Sequence, residues 1–156
     1  MTNQKDAETK SDFLPSASET KNATEEPARD EPPADETILL VDDDEINIEV
    51  MRDMLEMLGY QVILARNGSE ALDIYRNKEK DISLVVLDMI MPDMTGGDVF
   101  DRLKEINTGV RVILSTGCSL TGQVSDIMNR GCRGFIQKPF QIEELFKKIR
   151  YALDEE

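Results

Sequence analysis

Acidic residues stand at the ends of two apolar runs, where a buried strand would leave the core. Asp42 and Asp43 directly follow the run 38–41, and Asp88 follows the run 82–87. Carboxylates about 4 Å apart repel each other by roughly 4 kcal/mol at an effective dielectric constant of about 20, so three together require a cation or raised pKa values. Hard oxygen ligands that leave further positions to water suit Mg²⁺, which also binds phosphate oxygens. The three aspartates therefore predict a magnesium site.

A hydroxyl and an ammonium group end two later apolar runs. Thr116 closes one of them, with Ser115 as a competing hydroxyl, and Lys138 closes the other. Acids, Mg²⁺, a hydroxyl and a lysine together can hold a phosphoryl group and neutralise the charge that develops during its transfer. We therefore expect a site that handles phosphoryl groups.

These residues need a scaffold that brings strand ends together, and the hydrophobic pattern predicts one. Five short apolar runs alternate with amphipathic stretches, as expected for a parallel sheet covered on both faces. The predicted strands are 37–41, 61–65, 82–87, 110–115 and 134–137. The predicted helices are 45–58, 68–78, 97–106, 122–130 and 142–153. Five β-α units predict a doubly wound α/β sheet, whose sites lie at the carboxyl ends of the strands.

The first predicted helix carries an apolar stripe with helical spacing, which we expect to face the core. The stripe consists of Ile46, Val50, Met54 and Met57. Asp44 and Glu45 stand at the start of this helix, where acidic side chains cap the first turn and complement the helix dipole. Asp93 lies in the segment "MPDMTGG" and is predicted to be a turn residue.

Residues 1–36 differ in composition from the rest of the chain. They contain four of the six prolines, no glycine, ten acidic residues and four basic residues. Such a segment cannot bury enough apolar surface to offset its ordering entropy. We expect a disordered acidic tail or linker over 1–36 and a folded domain over 37–154.

The charge balance and the residues that are missing exclude several functions. With 32 acidic and 18 basic residues the net charge is −14, which argues against binding to nucleic acid or to an anionic membrane. Without histidine the chain cannot be a histidine phosphodonor or form a Ser-His-Asp triad.

No apolar run approaches the ~20 residues that span a bilayer, and the N-terminus has no signal region, so we expect a cytoplasmic protein. Cys118 and Cys132 lack CxxC spacing and are predicted to be reduced, structural thiols.

Four segments in this order resemble the receiver domains of two-component response regulators. They are "LLVDDDE", "VVLDMIMPDMTG", "VILSTG" and "KPF", and the resemblance covers about residues 37 to 153. The separations fit as well: 45 residues from Asp43 to Asp88, 28 from Asp88 to Thr116, and 22 from Thr116 to Lys138. The resemblance implies a flavodoxin-like, five-stranded (βα)5 fold that takes a phosphoryl group from a sensor histidine kinase or a histidine phosphotransfer protein.

The resemblance also implies a role for each matching residue. Asp88 would be the phosphoacceptor, and it would hold Mg²⁺ together with Asp42, Asp43 and the backbone carbonyl of Ile90. Thr116 would bind the phosphoryl group, and Lys138 would pair first with Asp88 and then with the phosphoryl group. Thr116 and Phe135 would form the switch, and the bond before Pro139 would be cis. Output would pass through protein contacts on the face made by the fourth helix, fifth strand and fifth helix, and a weak dimer through that face is a further expectation.

Two positions depart from the commonly polar pattern of this family. Ile90 lies two residues after the phosphoacceptor and Cys118 two residues after Thr116, and side chains at these places influence hydrolysis in the family. Neither is suited to orient an attacking water. We expect a comparatively long-lived aspartyl phosphate.

Three alternatives stay open at the level of sequence. "VDDDEI" also fits the DxDx pattern of haloacid-dehalogenase-like phosphatases, with Asp42 as nucleophile and Asp44 as acid/base, but the later acidic pair is missing and Asp88 is left unexplained. A flavodoxin-like cofactor module would have a similar fold, but the acids after the first strand would repel a phosphate. The chain could also be a stand-alone regulator without an output domain or a receiver from a hybrid kinase.

Overall fold

The computed structural model describes residues 36–117 and 122–154. In this part of the chain five strands alternate with five helices, as the apolar runs predict. The strands are β1 (Thr37–Val41), β2 (Gln61–Ala65), β3 (Leu84–Asp88), β4 (Val112–Thr116) and β5 (Gly134–Gln137). The helices are α1 (Glu45–Met57), α2 (Gly68–Lys78), α3 (Gly96–Ile106), α4 (Gly122–Asn129) and α5 (Ile142–Asp154).

The five strands form one parallel sheet in the order β2-β1-β3-β4-β5. The chain moves from β1 outward to β2 and then returns across β1 to place β3 on its other side. This reversal leaves a crevice between the carboxyl ends of β1 and β3, which is where doubly wound sheets bind ligands. The predicted flavodoxin-like (βα)5 fold is confirmed.

Apolar side chains cover both faces of the sheet and form two separate core clusters. One face packs against α2, α3 and α4 through residues such as Leu39, Val85 and Phe100. The other face packs against α1 and α5 through residues such as Leu40, Val86 and Leu145. Successive strand residues point to opposite faces, so continuous apolar runs are needed to fill both clusters.

The predicted core face of α1 is wrong at three of its four positions, and the fourth residue, Met54, is partly buried against the core. Ile46 and Met57 are 75% and 78% exposed, and Val50 is also exposed, whereas α1 buries Ile48, Met51 and Leu55. Both sets have helical spacing because α1 carries apolar residues on most of its circumference. Periodicity alone cannot choose between two such stripes, and packing on the sheet selects the second.

The boundaries of two strands also differ from the prediction. β3 and β4 each start two residues later and end one residue later than the apolar runs 82–87 and 110–115. Ile82 and Val110 are buried without belonging to a strand, and the strands continue into polar residues because Asp88 pairs with Ser115 in the β3–β4 ladder. Asp88 and Thr116 are therefore the last residues of their strands.

Arg150 on α5 ties the beginning and the end of the folded unit together. Its guanidinium donates hydrogen bonds to Glu36 Oε1 at 2.7 Å, to the Tyr60 hydroxyl at 3.2 Å and to Asp154 Oδ1 at 2.9 Å. Glu36 directly precedes β1, and Asp154 is the last residue of α5. One half-buried side chain thus anchors both ends.

Several expectations concern residues outside the described ranges. The predicted tail, apart from Glu36, and Cys118 lie there. Cys132 is described: it is a buried free thiol whose Sγ lies 3.1 Å from the Val112 carbonyl oxygen. Among the helices within 36–117 and 122–154, none combines the length and the apolar character that a membrane span requires.

Candidate functional site

The crevice between β1 and β3 brings together three carboxylates. Asp42 follows the last residue of β1 and Asp88 ends β3, so the neighbouring strand ends place them side by side. One oxygen from each of Asp42, Asp43 and Asp88 can be chosen so that all three lie within 4.8 Å of one another. Asp42 is 1% exposed and Asp88 is 7% exposed, whereas Asp43 faces solvent. The predicted cluster of the three aspartates is present.

Lys138 reaches this cluster from the end of β5. Its Nζ lies 2.9 Å from Asp42 Oδ2 and 3.2 Å from Asp88 Oδ1. The Lys138 backbone N–H donates to the Thr116 carbonyl oxygen at 2.7 Å, which continues the pairing of β5 with β4 beyond the last strand residue. The peptide bond between Lys138 and Pro139 is cis. The contact with Asp88 was expected, and the shorter contact with Asp42 is new.

The electrostatics of the site follow from three neighbouring carboxylates and one lysine, which pairs with Asp42 and Asp88. Burial and the charge of Asp42 raise the pKa of Asp88 to about 6, against the opposing effect of Lys138. Burial acts to lower the pKa of Lys138, but its hydrogen bond to Asp42 and the charges of both aspartates outweigh burial and raise it. The pKa of Asp88 stays raised although a lysine lies beside it, because burial and the charge of Asp42 together outweigh the effect of Lys138. The donor set is all oxygen, and it fits a hard divalent cation such as Mg²⁺.

The loop after β3 folds back closely onto the end of β3 because Gly96 has no side chain. The Gly96 N–H donates to the Met89 carbonyl oxygen at 2.8 Å. A Cβ at position 96 would lie 2.8 Å from the Asp88 carbonyl oxygen and 2.9 Å from the Met89 Cα. Ile90 forms an antiparallel bridge with Thr95, and its side chain is 74% exposed.

Asp93 does more than shape the turn that the sequence predicts. Its carboxylate accepts hydrogen bonds from the backbone N–H groups of Gly68 at 2.9 Å and Ser69 at 3.0 Å, at the start of α2. These hydrogen bonds lower the pKa of Asp93. The contact joins the β3–α3 loop to a helix 25 residues earlier in the chain. Sequence reasoning missed it because no local pattern reveals a cap supplied from so far away.

The other acids at the start of α1 take the predicted structural roles. Asp44 is the N-cap and accepts hydrogen bonds from the backbone N–H groups of Ile46 and Asn47, both at 3.0 Å. Glu45 forms a bidentate ion pair with Arg66, with nitrogen–oxygen distances of 3.0 and 2.9 Å. Both side chains are exposed.

The hydroxyl groups at the end of β4 point to opposite faces of the sheet. Thr116 continues the alternation of Val112 and Leu114, which pack towards α2, α3 and α4. Phe135 pairs with Leu114 in the β4–β5 ladder and packs against the same cluster, so Thr116 and Phe135 share one face. Ser115 points to the other face, and its Oγ is buried without a hydrogen-bond acceptor or donor among the described residues.

With this geometry in place, comparison with protein-family models decides the family. The model described as response regulator receiver domain matches residues 38–150. The chain belongs to the response regulator receiver domain family.

Curated relatives and solved structures agree with this assignment. The polar-differentiation response regulator DivK of Brucella anthropi is 32% identical over 119 residues, which make up 75% of this chain and 95% of DivK. The structure of the CheX-CheY-BeF3-Mg+2 complex from Borrelia burgdorferi contains a chain with a TM-score of 0.71 and 27% identity, covering 74% of this chain and 87% of that one. The receiver domain of the sensor histidine kinase PA1611 from Pseudomonas aeruginosa, solved with a magnesium ion in its active site cleft, has a TM-score of 0.70 and 26% identity, covering 78% of this chain and all (100%) of that one.

As a receiver domain, the protein serves as a phosphoacceptor in two-component signalling. Receiver domains interact with histidine kinases or phosphotransfer proteins. The haloacid-dehalogenase alternative finds no support, because its acid/base residue, Asp44, is an exposed helix cap. The cofactor-module alternative likewise has no support from the family match.

Proposed function

We propose that Asp88 accepts the phosphoryl group and that Asp42, Asp43, Asp88 and the backbone carbonyl of Ile90 hold Mg²⁺. The observation that carries this proposal is the sharing of Lys138 between two buried aspartates at the switch point of the sheet, at 2.9 and 3.2 Å. Mg²⁺, when bound, offsets the charge of the carboxylates and of the incoming phosphoryl oxygens. The oxygen-only donor set and the raised pKa of Asp88 support this ion.

Asp88, Lys138 and Thr116 have different roles in phosphoryl transfer. An oxygen of Asp88 forms the new bond to phosphorus while the bond from phosphorus to the histidine nitrogen of the donor breaks, and its electron pair stays on that nitrogen. Lys138 moves from the aspartates towards the phosphoryl oxygens, and the Thr116 hydroxyl donates to one of them. In this way the receiver, a signalling domain, assists its own phosphorylation. The same residues assist the later hydrolysis of the aspartyl phosphate.

A labelling experiment tests the role of Asp88. Wild-type protein is treated with a radioactive small-molecule phosphodonor and Mg²⁺, and we expect hydroxylamine-sensitive label in wild type but none in Asp88→Asn. The matched control is Asp98→Asn, because Asp98 is an exposed aspartate on α3 and lies outside the carboxylate cluster. Hydroxylamine-sensitive label in Asp88→Asn equal to wild type would refute the assignment.

We propose that phosphorylation moves Thr116 and Phe135 and thereby changes the surface formed by α4, β5 and α5. Thr116 and Phe135 share a face of the sheet, and Lys148 of α5 lies 5.5 Å from the centre of the Phe135 ring. A Thr116 that moves towards the phosphoryl group opens space into which Phe135 can turn, and this changes the surface under Lys148. Beryllium fluoride with Mg²⁺ should shift the NMR signals of Phe135 and Lys148, and Thr116→Ala should abolish these shifts.

The exposed side of α1 is proposed as the docking surface for the histidine-bearing phosphodonor protein. Ile46 and Val50 are exposed on α1, and Val50, Met54 and Phe140 line an apolar groove that also reaches Lys138. A donor that brings its histidine to Asp88 would cover this groove, since Lys138 belongs to both. Val50→Glu should slow phosphotransfer from a histidine donor and leave labelling by a small-molecule phosphodonor unchanged.

The exposed Ile90 supports the expectation of a long-lived aspartyl phosphate. At 74% exposure its side chain has no polar atom with which to orient a water beside Asp88. We expect Ile90→Asn to shorten the lifetime of the phosphorylated protein several-fold, measured as loss of label in the presence of Mg²⁺. An unchanged decay rate would contradict this expectation.

A weak dimer through the α4-β5-α5 face stays a prediction, which sedimentation of the phosphorylated protein can test.

A further inference from the structure

A polar cavity of about 290 Å³ lies at the amino ends of the strands, at the opposite edge of the sheet from Asp88. It opens where the chain enters β3 and β4. Its wall includes Lys80 and Ser83 from the α2–β3 loop and Arg111, the residue directly before β4. Tyr75 of α2 and Asn107 at the end of α3 also line it.

The wall contains two cationic side chains, those of Arg111 and Lys80. Among the ion pairs of the described residues, none includes Arg111 or Lys80. The Nε atom of Arg111 is buried, and within 36–117 and 122–154 it has no hydrogen-bond acceptor. Buried N–H donors are normally satisfied, so this donor indicates that an acceptor group enters the cavity.

Neutral donors surround the same space. The Asn107 side-chain N–H donates to the Tyr75 hydroxyl at 3.0 Å, and Asn107 Oδ1 accepts from the Gly109 N–H at 2.9 Å, which fixes the orientation of the amide. Because the Tyr75 oxygen already accepts a hydrogen bond, its own O–H remains to donate. The hydroxyl of Ser83 is a further donor in the wall.

The acidic side chain in the described wall is already paired. Glu36 lines the cavity, but its carboxylate lies 2.7 Å from Nη1 of Arg150, which offsets its charge. The cavity is therefore a cationic, donor-rich pocket on a chain whose net charge is −14.

We propose that this cavity binds a phosphate group, either inorganic phosphate or the phosphate of a small monoester. Arg111 supplies a guanidinium whose planar donors match phosphate oxygens, and Lys80 supplies a second positive charge. The hydroxyls of Tyr75 and Ser83 donate to the remaining oxygens. This site is separate from the phosphoryl site at Asp88 and does not depend on the function proposed for it.

An NMR titration without Mg²⁺ tests the proposal. Inorganic phosphate is added to uniformly ¹⁵N-labelled protein, with sodium chloride at equal ionic strength as the reference, and glucose 6-phosphate is titrated in parallel to distinguish the two sources. We expect saturable shifts of the backbone signals of Ser83, Gly109 and Arg111. Lys80→Met and Arg111→Met should each weaken binding about tenfold or more, because each removes a charged hydrogen-bond donor.

Two controls separate this site from general anion attraction and from the phosphoryl site. Lys78 is an exposed lysine at the end of α2 that lines a neighbouring cavity, and Lys78→Met should bind phosphate as wild type does. The position of the shifts is the second control: those at Ser83 and Gly109 should appear without accompanying shifts of the signals around Asp88. The proposal fails if Lys80→Met and Lys78→Met bind equally, if sodium chloride reproduces the shifts, or if the shifts occur only around Asp88.

Discussion

At the carboxyl ends of β1 and β3, two of the three clustered carboxylates pair with Lys138. At the amino ends of β3 and β4, by contrast, neither Arg111 nor Lys80 takes part in an ion pair among the described residues. Helices begin near the first edge of the sheet and end near the second. A helix carries partial positive charge at its N-terminus and partial negative charge at its C-terminus. The alternation of strands and helices thus provides a favourable field for acids at one edge and for bases at the other.

The two edges differ in burial as well as in sign. Asp42 and Asp88 are buried and repel each other, and this is why the pKa of Asp88 rises to about 6. Lys80 at the other edge is exposed, so water stabilises its charge. Strain from like charges is therefore concentrated at the carboxyl edge, where a cation or a phosphoryl group can relieve it.

Removing one lysine from each edge should give very different results. Lys138→Met leaves buried Asp42 and Asp88 without their cation, and we expect the free energy of unfolding at pH 7 without metal to fall by about 3 kcal/mol. Lys80→Met changes the net charge equally but breaks no ion pair, so its effect should stay within about 0.5 kcal/mol. Urea unfolding followed by circular dichroism measures both. Equal losses would show that the lysine at the carboxyl edge has no special role.

Neutralising one acid at each edge should change stability in opposite directions. The pKa of Asp88 is raised from 3.8 to about 6, so its charge destabilises the fold at pH 7. Asp88→Asn should raise the free energy of unfolding by about 2 kcal/mol at pH 7 without metal. Glu36→Gln should lower it by about 1 kcal/mol, because the charged hydrogen bond to Arg150 is lost.

The pH dependence of the Asp88→Asn difference provides the sharper check. Below pH 6 the wild-type carboxyl increasingly binds a proton in the folded state, so the advantage of the variant should shrink as pH falls from 7 towards 4. Urea titrations at several pH values measure this difference. An advantage that grows as the pH falls would mean that the pKa of Asp88 is lowered rather than raised.

Adding one methyl group to a loop at each edge should give the smallest difference. A Cβ at Gly96 would lie 2.8 Å from the Asp88 carbonyl oxygen, which is rigid backbone, whereas a Cβ at Gly109 would lie 3.5 Å from the Asn107 side chain. We expect Gly96→Ala to lower the free energy of unfolding by about 1 to 2 kcal/mol, and Gly109→Ala to be nearly neutral. Thermal unfolding checks both. A neutral Gly96→Ala would mean that the loop can shift away from β3.

The sequence was sufficient to predict the fold and to predict that the site residues meet at the carboxyl ends of the strands. Apolar runs marked every strand, and parallel strands bring their carboxyl ends together, so Asp42, Asp88 and Lys138 could be predicted to meet. The sequence could not predict which stripe of α1 is buried, because Val50 and Met51 both belong to stripes with helical spacing.

Contacts between distant loops were also beyond the sequence. The cap that Asp93 provides for α2 and the ion pair between Glu45 and Arg66 depend on the final placement of loops. The polar ends of β3 and β4 were missed for a related reason, since a hydrophobic pattern stops at Leu87 although the ladder continues to Asp88.

Arg150 holds Glu36 at 2.7 Å and Asp154 at 2.9 Å, so the points where the polypeptide enters and leaves the folded unit are neighbours in space. A unit with adjacent entry and exit can be spliced into a surface loop of another protein without pulling that loop apart. The same adjacency would let the unit be circularly permuted with a short connecting peptide. The folded unit is therefore suited to insertion into other proteins as an intact domain.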